Sequence, residues 1–322
     1  MKKILVTGAS GYLGAKISLR LRAMGFSVSA LCRSLPADMD DKFKDIVVIT
    51  GDITTGETLD VIFSSSFDAI IHTVSLDHNL TETAPIEDVN KTNVLATWQL
   101  LDLFSKSEME KFIFLSTMQV VGKLPVAPIS EEILRAPGNL YGLTHLIGED
   151  LVDYYNRKSK GQCISLRLSN GYGAPVFENN NCWWLVINDL CRSAYYQKKI
   201  VLNSDGTPSR DFIHVDDIAK AVGIVLMQED LFETLIHVSS GQTKSLLEIA
   251  HLVSSIYEKR YHTHIPVYHS ANVLSENIPM SGAYYTLLNE KLSSLGFHPE
   301  MNLELGIEEL FVYFEKLKIH DA

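Results

Sequence analysis

Lys3-Ile4-Leu5-Val6-Thr7-Gly8-Ala9-Ser10-Gly11-Tyr12-Leu13-Gly14 decides the fold. Its first five residues form a short run of strand formers, and Gly8 ends it. From about 11 to 24, Leu13, Ile17 and Leu21 recur on one helical face, and Gly25 stands where a helix C-terminus takes glycine. Gly8, Gly11 and Gly14 thus lie in a strand-turn-helix, spaced G-x-x-G-x-x-G. Glycines there let the backbone turn tightly, approach a pyrophosphate and pack the helix on the strand. The helix N-terminus adds unpaired N–H groups and a partial positive charge.

Apolar runs at 26–31, 46–49, 69–71, 112–115 and 163–168 read as further strands. Helical patterns at 86–107 and 140–157 separate the later ones. Continuous apolar strands alternating with helices predict a parallel sheet covered on both faces. The expected class is α/β: a doubly wound parallel Rossmann sheet with its ligand at the carboxyl ends of the strands. After Asn170 the alternation breaks, so 171–204 and 241–322 are expected to form a smaller C-terminal α/β substrate lobe. Between them, a helix at 216–227 and a strand at 235–238 return to the sheet. Residues 1–170 plus about 205–240 then make the dinucleotide-binding domain. There is no internal repeat or low-complexity tract.

With 322 residues, 46% hydrophobic and 21% charged, the chain has the composition of a globule with a core. A formal net charge of -11 repels phosphate backbones and argues against nucleic acid as a partner. No apolar stretch reaches the roughly 20 residues that cross a bilayer. The run after Lys2-Lys3 is too short for a signal peptide. Four separated cysteines without a CxxC pair fit a reducing cytoplasm, the expected location. Eleven histidines show no HxxxH or HExxH spacing, and no metal site is expected, His262 and His264 included.

Further blocks follow in order: Gly51-Asp52-Ile53, His72-Thr73-Val74-Ser75 and Asn93-Val94-Leu95-Ala96-Thr97. With the glycine spacing, these resemble the extended short-chain dehydrogenase/reductase superfamily, the NAD-dependent epimerase/dehydratase family acting on sugar nucleotides. The resemblance spans nearly the whole chain. It implies an NAD(P) site from Gly8, Gly11, Tyr12, Leu13 and Gly14, with Asp52 and Ile53 at the adenine. It also implies that Thr73, Val74, Ser75 and Asn93 line the cofactor. Where an acidic residue would take the ribose diol of NAD, the chain has Cys32-Arg33-Ser34. Arg33 suits a 2′-phosphate, so NADP is favoured over NAD.

Ser116-Thr117-Met118-Gln119-Val120-Val121-Gly122 resembles the family's S-[ST]-x-x-V-Y-G, which gives Thr117 the catalytic hydroxyl. Tyr141 follows 141−117 = 24 residues later, and His145 stands where the family's Y-x-x-x-K has lysine. Residues i and i+4 share a helix face. The lysine's charge lowers the tyrosine's pKa from ~10 and its ammonium holds the nicotinamide ribose. A unit charge ~5 Å away at an effective dielectric of ~20 is worth about 3 kcal/mol, or ~2 pKa units. Histidine, with an unperturbed pKa of ~6.5, guarantees no such charge. Three readings stay open: a working enzyme in which His145 replaces lysine, a specialised one that keeps its cofactor bound, and a non-catalytic nucleotide binder. The first implies that activity follows the protonation of His145.

On the substrate side, Arg167-Leu168-Ser169-Asn170-Gly171-Tyr172-Gly173 resembles R-x-x-N-x-Y-G, with Asn170 at the diphosphate. Ser209-Arg210-Asp211-Phe212-Ile213-His214-Val215-Asp216-Asp217 resembles R-D-F-x-H-V-D-D, with Arg210 at the nucleotide. Asp211, His214, Asp216 and Asp217 are expected to cap and pack, and Trp183-Trp184 and Tyr195-Tyr196 receive no role. Met118 and Gln119 replace the acids of the 4,6-dehydratases, and Gln119 the cysteine of C3/C5 epimerases. What remains is chemistry at C4 of a nucleotide-activated sugar. A 4-ketosugar reductase is preferred over a 4-epimerase, because NADPH suits Arg33. Tyr141 exchanges the proton, Thr117 binds the C4 oxygen, and His145 orients the ribose. The alternative of another class is a dinucleotide-sensing protein. The resemblance also implies a homodimer through the helices at 86–107 and 140–157.

Overall fold

The computed structural model describes residues 1–269, 272–273 and 284–320, with side chains at 1–269 and 284–317. The rest of the expected lobe, 270–271, 274–283 and 321–322, lies outside the described residues.

Seven parallel strands form the main sheet in the order Leu235–Val238, Gln162–Leu168, Lys111–Thr117, Ala69–His72, Lys3–Thr7, Ser27–Cys32, Val47–Thr50. Side chains alternate across a strand. Ile4 and Val6 therefore join a core with Ile17 and Leu21 of the helix Tyr12–Ala23 and with Ala219 and Val222 of the helix Val215–Met227. Leu5 faces the other way, into a core with Leu100 of Ala96–Phe104 and Val152 of Leu140–Asn156. Both faces are covered, as the unbroken apolar runs require. The strand order reverses between Lys3–Thr7 and Ala69–His72, which opens a crevice at the carboxyl ends of the strands.

A second core gathers Tyr172, Ile187, Cys191, Phe212, Val253 and Phe311 from the later segments. Phe177, Leu292 and Phe297 from those same segments pack into the main-sheet core instead. Asn170–Tyr172 runs parallel to Ser209–His214, so Asn170 and Arg210 sit on neighbouring strands.

The helix expected at 86–107 is instead Ile86–Val89, a π-helical turn at Asn90–Leu95, and Ala96–Phe104. The added residue of a π turn re-aims side chains, and here it carries Asn93. Helices that the sequence reading did not place include Gly56–Ser64, capped by Thr55, and His78–Thr83, capped by Asp77, and in the later segments Val186–Gln197, Leu246–Tyr261 and Leu303–His320. The four cysteines are buried and free. Among the described residues, no helix is long and apolar enough to cross a membrane.

Candidate active site

The glycine turn lies at the crevice. Gly8 has φ +71°, which L side chains rarely adopt, and a Cβ there would stand 2.8 Å from Thr73 Oγ1. Gly11 N donates to Gly8 O at 2.9 Å and Gly11 itself is exposed. The helix Tyr12–Ala23 begins with no side-chain cap and no acidic residue in its first turn. Its N–H groups are therefore open to an anion, and the turn fits a dinucleotide pyrophosphate. Tyr12 Oη donates to Gly173 O at 2.8 Å, and Asn180 Nδ2 to Ser10 O at 2.8 Å, tying the turn to the later segments. Leu13 is half-buried and Gly14 buried behind them.

Beyond the second and third strands, Arg33 is exposed, Asp52 half-buried and Ile53 buried. The backbone N–H of Thr54, at 2.9 Å, heads the causes that hold the Asp52 carboxyl below its usual range, with Arg33 contributing. Thr73, Val74 and Ser75 follow the fourth strand, half-buried at the crevice edge. Thr73 Oγ1 donates to Thr7 O at 2.7 Å. His72 beneath them is fully buried, and burial pushes it down to about 3. Thr97 Oγ1 donates to Asn93 O, so it accepts from His72 Nε2–H at 3.1 Å, while His72 Nδ1 accepts from Thr7 Oγ1 at 2.8 Å.

Asn93 is only 3% exposed. Its amide accepts from Leu76 N at 2.7 Å and donates to Thr144 Oγ1 at 3.2 Å. Through these bonds Asn93 braces the loop after the fourth strand against the Tyr141 helix.

Tyr141 and His145 share one face of Leu140–Asn156, their ring centroids 4.2 Å apart. His145 Nδ1–H donates to Tyr141 O at 2.9 Å, which leaves Nε2 as an acceptor. His145 is 4% exposed, and burial brings its titration down to about 4. That burial argues against a change in its charge near neutrality, on which the expected dependence of activity on its protonation relies. Burial, with Asp77 adding to it, pushes the Tyr141 phenol up to about 12. His78 lies edge-on to the Tyr141 ring at 6.3 Å.

Asn139 caps this helix, accepting from Gly142 N at 2.7 Å, and donates to Gln119 Oε1 at 2.8 Å. Gln119 thus belongs to the helix cap, and Met118 is buried in a core, so neither offers an acid beside Thr117. Thr117 ends its strand half-buried and accepts from Gln119 N at 3.3 Å.

One group near Thr117 was not legible beforehand. Glu149, two turns after Tyr141, receives Arg167 Nε at 2.9 Å and Nη2 at 2.7 Å, and Ser116 Oγ at 2.6 Å. On the substrate side, Asn170 Nδ2 donates to Asp211 O at 2.9 Å, and the exposed Arg210 donates from Nη1 to Ser209 O at 3.2 Å. Asp217 takes Glu300 N and Met301 N, as a packing residue does. His214, Asp216 and Glu309 cluster, but Lys16 Nζ already supplies a cation 3.1 Å from Asp216 and 3.5 Å from Glu309. A cavity of about 930 Å³ bounded by Gly206, His251, Glu258 and Leu303 lies elsewhere and includes neither Tyr141 nor the glycine turn.

The model of the NAD dependent epimerase/dehydratase family matches residues 4–236. Over 295 residues the chain is 30% identical to UDP-glucose 4-epimerase 4 of Oryza sativa subsp. japonica, covering 80% of this chain and 78% of that one. Its fold is similar, with a TM-score of 0.80, to the UDP-glucuronic acid 4-epimerase of Bacillus cereus in complex with UDP-glucuronic acid and NAD, at 22% identity over 98% of this chain and 99% of that one. MoeE5 in complex with UDP-glucuronic acid and NAD gives the same TM-score of 0.80, identity of 22% and coverage of 98% and 99%. Both of these neighbours hold NAD, which overturns the expectation of NADP. The physical reason lies in Arg33: exposed, with its charge bearing on Asp52, it has an electrostatic partner without any 2′-phosphate.

Proposed function

The chain belongs to the NAD dependent epimerase/dehydratase family, and on that premise we propose that it is an NAD-linked oxidoreductase acting at C4 of a nucleotide-activated sugar, in the direction of 4-ketosugar reduction. The observation that carries the direction is the pairing of Tyr141 with a buried, neutral His145. A tyrosine kept protonated is ready to give a proton to a ketone oxygen, whereas alcohol oxidation needs it ionised.

In this reading Gly8, Gly11, Tyr12, Leu13 and Gly14 hold the pyrophosphate, Asp52 and Ile53 the adenosine, and Thr73, Val74 and Ser75 the nicotinamide half. NAD, when bound in its reduced form, supplies the hydrogen and electron pair that C4 receives. Tyr141 gives its phenolic proton to the C4 oxygen and regains one from water. Thr117 hydrogen-bonds that oxygen, and His145 Nε2 accepts from a ribose hydroxyl. Asn170 and Arg210 take the diphosphate and nucleotide. The cofactor occupies 1–170 plus about 205–240, and the sugar the lobe of 171–204 and 241–322. A cytoplasmic location accords with four free, buried thiols. A homodimer accords with exposed Leu95, Trp98, Leu143, Ile147 and Tyr154 on the Asn90–Leu95, Ala96–Phe104 and Leu140–Asn156 helices.

A 4-epimerase is the second reading, favoured by the name of the rice relative. Purified protein would be denatured to identify released cofactor, then mixed with NADH and a 4-keto-6-deoxy sugar nucleotide, and separately with UDP-glucose. Loss of reduced nicotinamide with the ketone supports the reductase. Conversion of UDP-glucose to its C4 epimer, with no net change in nicotinamide, replaces it by the epimerase. Cofactor binding without either leaves a dinucleotide-sensing protein.

A further inference from the structure

Ser116 and Glu149 lie on the two elements that carry the site, one residue before Thr117 and eight after Tyr141. Ser116 Oγ donates to Glu149 Oε1 at 2.6 Å, a direct link between the strand end and the helix face. Arg167, on the adjoining strand and 0% exposed, grips both oxygens of Glu149, itself 4% exposed. Its remaining nitrogen reaches His237 Nε2 at 3.2 Å, on the next strand. Arg135, from the segment joining Thr117 to Tyr141, adds an ion pair to Glu149 at 3.5 Å.

A buried ion pair is weak evidence for stability, since apolar residues of the same volume do as well or better. What it does supply is directional geometry: a bidentate fork defines one orientation, where apolar contacts tolerate sliding. The helix also approaches its strand closely, because a Cβ at Gly148 would stand 2.5 Å from the Phe114 ring. Close packing alone sets the depth of that approach. The register along the strand is set by the polar link.

We propose that Glu149, held by Ser116 and Arg167, is a positioning residue that fixes Tyr141 against Thr117. The inference rests on the reading of Tyr141 and Thr117 as the groups at the sugar C4 oxygen. Neither Glu149 nor Arg167 touches substrate. Each acts through the register of the helix on the strand.

The test uses Ser116→Ala, which removes one bond and leaves the ion pair, with Ser116→Thr as the conservative rescue. Ketone reduction by bound NADH is followed for wild type and both variants, together with thermal midpoint and NAD affinity. The expected result for Ser116→Ala is a kcat lowered roughly tenfold to a hundredfold, the loss that a slight misplacement of reacting groups produces. KM and NAD affinity stay unchanged, and Ser116→Thr recovers kcat. Unchanged kcat in Ser116→Ala, or a loss matched in KM and NAD affinity, overturns the proposal. Crystal structures of wild type and Ser116→Ala supply a readout that needs no turnover. A changed separation of Tyr141 Oη from Thr117 Oγ1 supports the inference, and an unchanged one overturns it. A wild type that binds NAD but reduces no ketone contradicts the proposed reaction, while the crystallographic comparison still decides the positioning role.

Discussion

His145 donates from Nδ1 to the backbone carbonyl of Tyr141, one turn back on the same helix, at 2.9 Å, and their rings lie 4.2 Å apart. That bond fixes the tautomer and leaves Nε2 with a lone pair, where a lysine would carry an ammonium. Burial then keeps the imidazole neutral, with its titration down at about 4.

The direct consequence concerns His145→Lys. An ammonium ~5 Å from the phenol at an effective dielectric of ~20 is worth about 3 kcal/mol, or ~2 pKa units. Tyr141, now up at about 12, should titrate correspondingly lower in the variant. Tyrosinate absorbance, followed against a Tyr141→Phe control, measures this directly. Alcohol oxidation should gain more than ketone reduction. An unshifted titration in a folded variant removes the electrostatic account of the substitution.

A second consequence follows for wild type across pH 5.5 to 8.5. With His145 titrating at about 4 and Tyr141 at about 12, neither changes charge in that window. Hydride transfer measured in single turnovers should be nearly flat there, once substrate ionisation is accounted for. A limb near 6.5 that vanishes in His145→Gln would show that His145 is protonated in the working enzyme after all.

Stability should fall in acid through three buried imidazoles. His72 titrates at about 3, His145 at about 4 and His237 at about 4, all brought down first by burial. The unfolded chain binds their protons below ~6.5 and the folded chain does not, so stability is complete above that pH and is lost as pH falls toward 4. At pH 5 each costs at most about 2 kcal/mol. Urea midpoints at pH 7 and pH 5 measure the loss. His237→Gln, which can still accept from Arg167 and donate to Leu288 O, should flatten the slope by one share. An equal slope in that variant would remove His237 from the account.

The strands and the glycine turn were legible because their chemistry is local. An apolar run covered on both faces reads the same in any context, and Gly8 needs a positive φ whatever surrounds it. Arg33 misled for the opposite reason: its meaning depends on Asp52, which the fold brings near from the end of another strand. His145 was seen as a substitution, but its neutrality needed its burial, a property of the packed helix. The role of Asn93 hid in a π turn, since a helical pattern does not reveal one inserted residue. Glu149 carried no signal at all, because its partners Ser116 and Arg167 come from separate strands.

The proposed homodimer has its own test. Leu143 is 44% exposed and Trp98 49%, on helices joined by the bond from Trp98 Nε1 to Tyr155 Oη at 3.1 Å. Large apolar side chains grouped on adjacent helices mark a contact surface. Leu143→Glu should give a folded monomer by sedimentation, with an unchanged circular dichroism spectrum. A variant that sediments like wild type would move the contact elsewhere or dispense with it.

The glycine turn separates space for the fold from space for the ligand. A Cβ on Gly14 would stand 2.3 Å from Gly8 O, a backbone atom with nowhere to go. A Cβ on Gly11 would stand 3.1 Å from the same oxygen, at an exposed position. Gly14→Ala should therefore destabilise the fold itself, by at least the ~1–3 kcal/mol of an overpacked site. Gly11→Ala should fold with a thermal midpoint near wild type, since the neighbouring turn need give only a few tenths of an ångström. Its methyl would instead crowd the opening where the pyrophosphate approaches the backbone, and NAD affinity should drop at least tenfold, equivalent to about 1.4 kcal/mol. Paired thermal melts and NAD titrations distinguish the two. If Gly11→Ala binds NAD as wild type does, the pyrophosphate does not lie over Gly11, and the cofactor's placement on this turn is wrong.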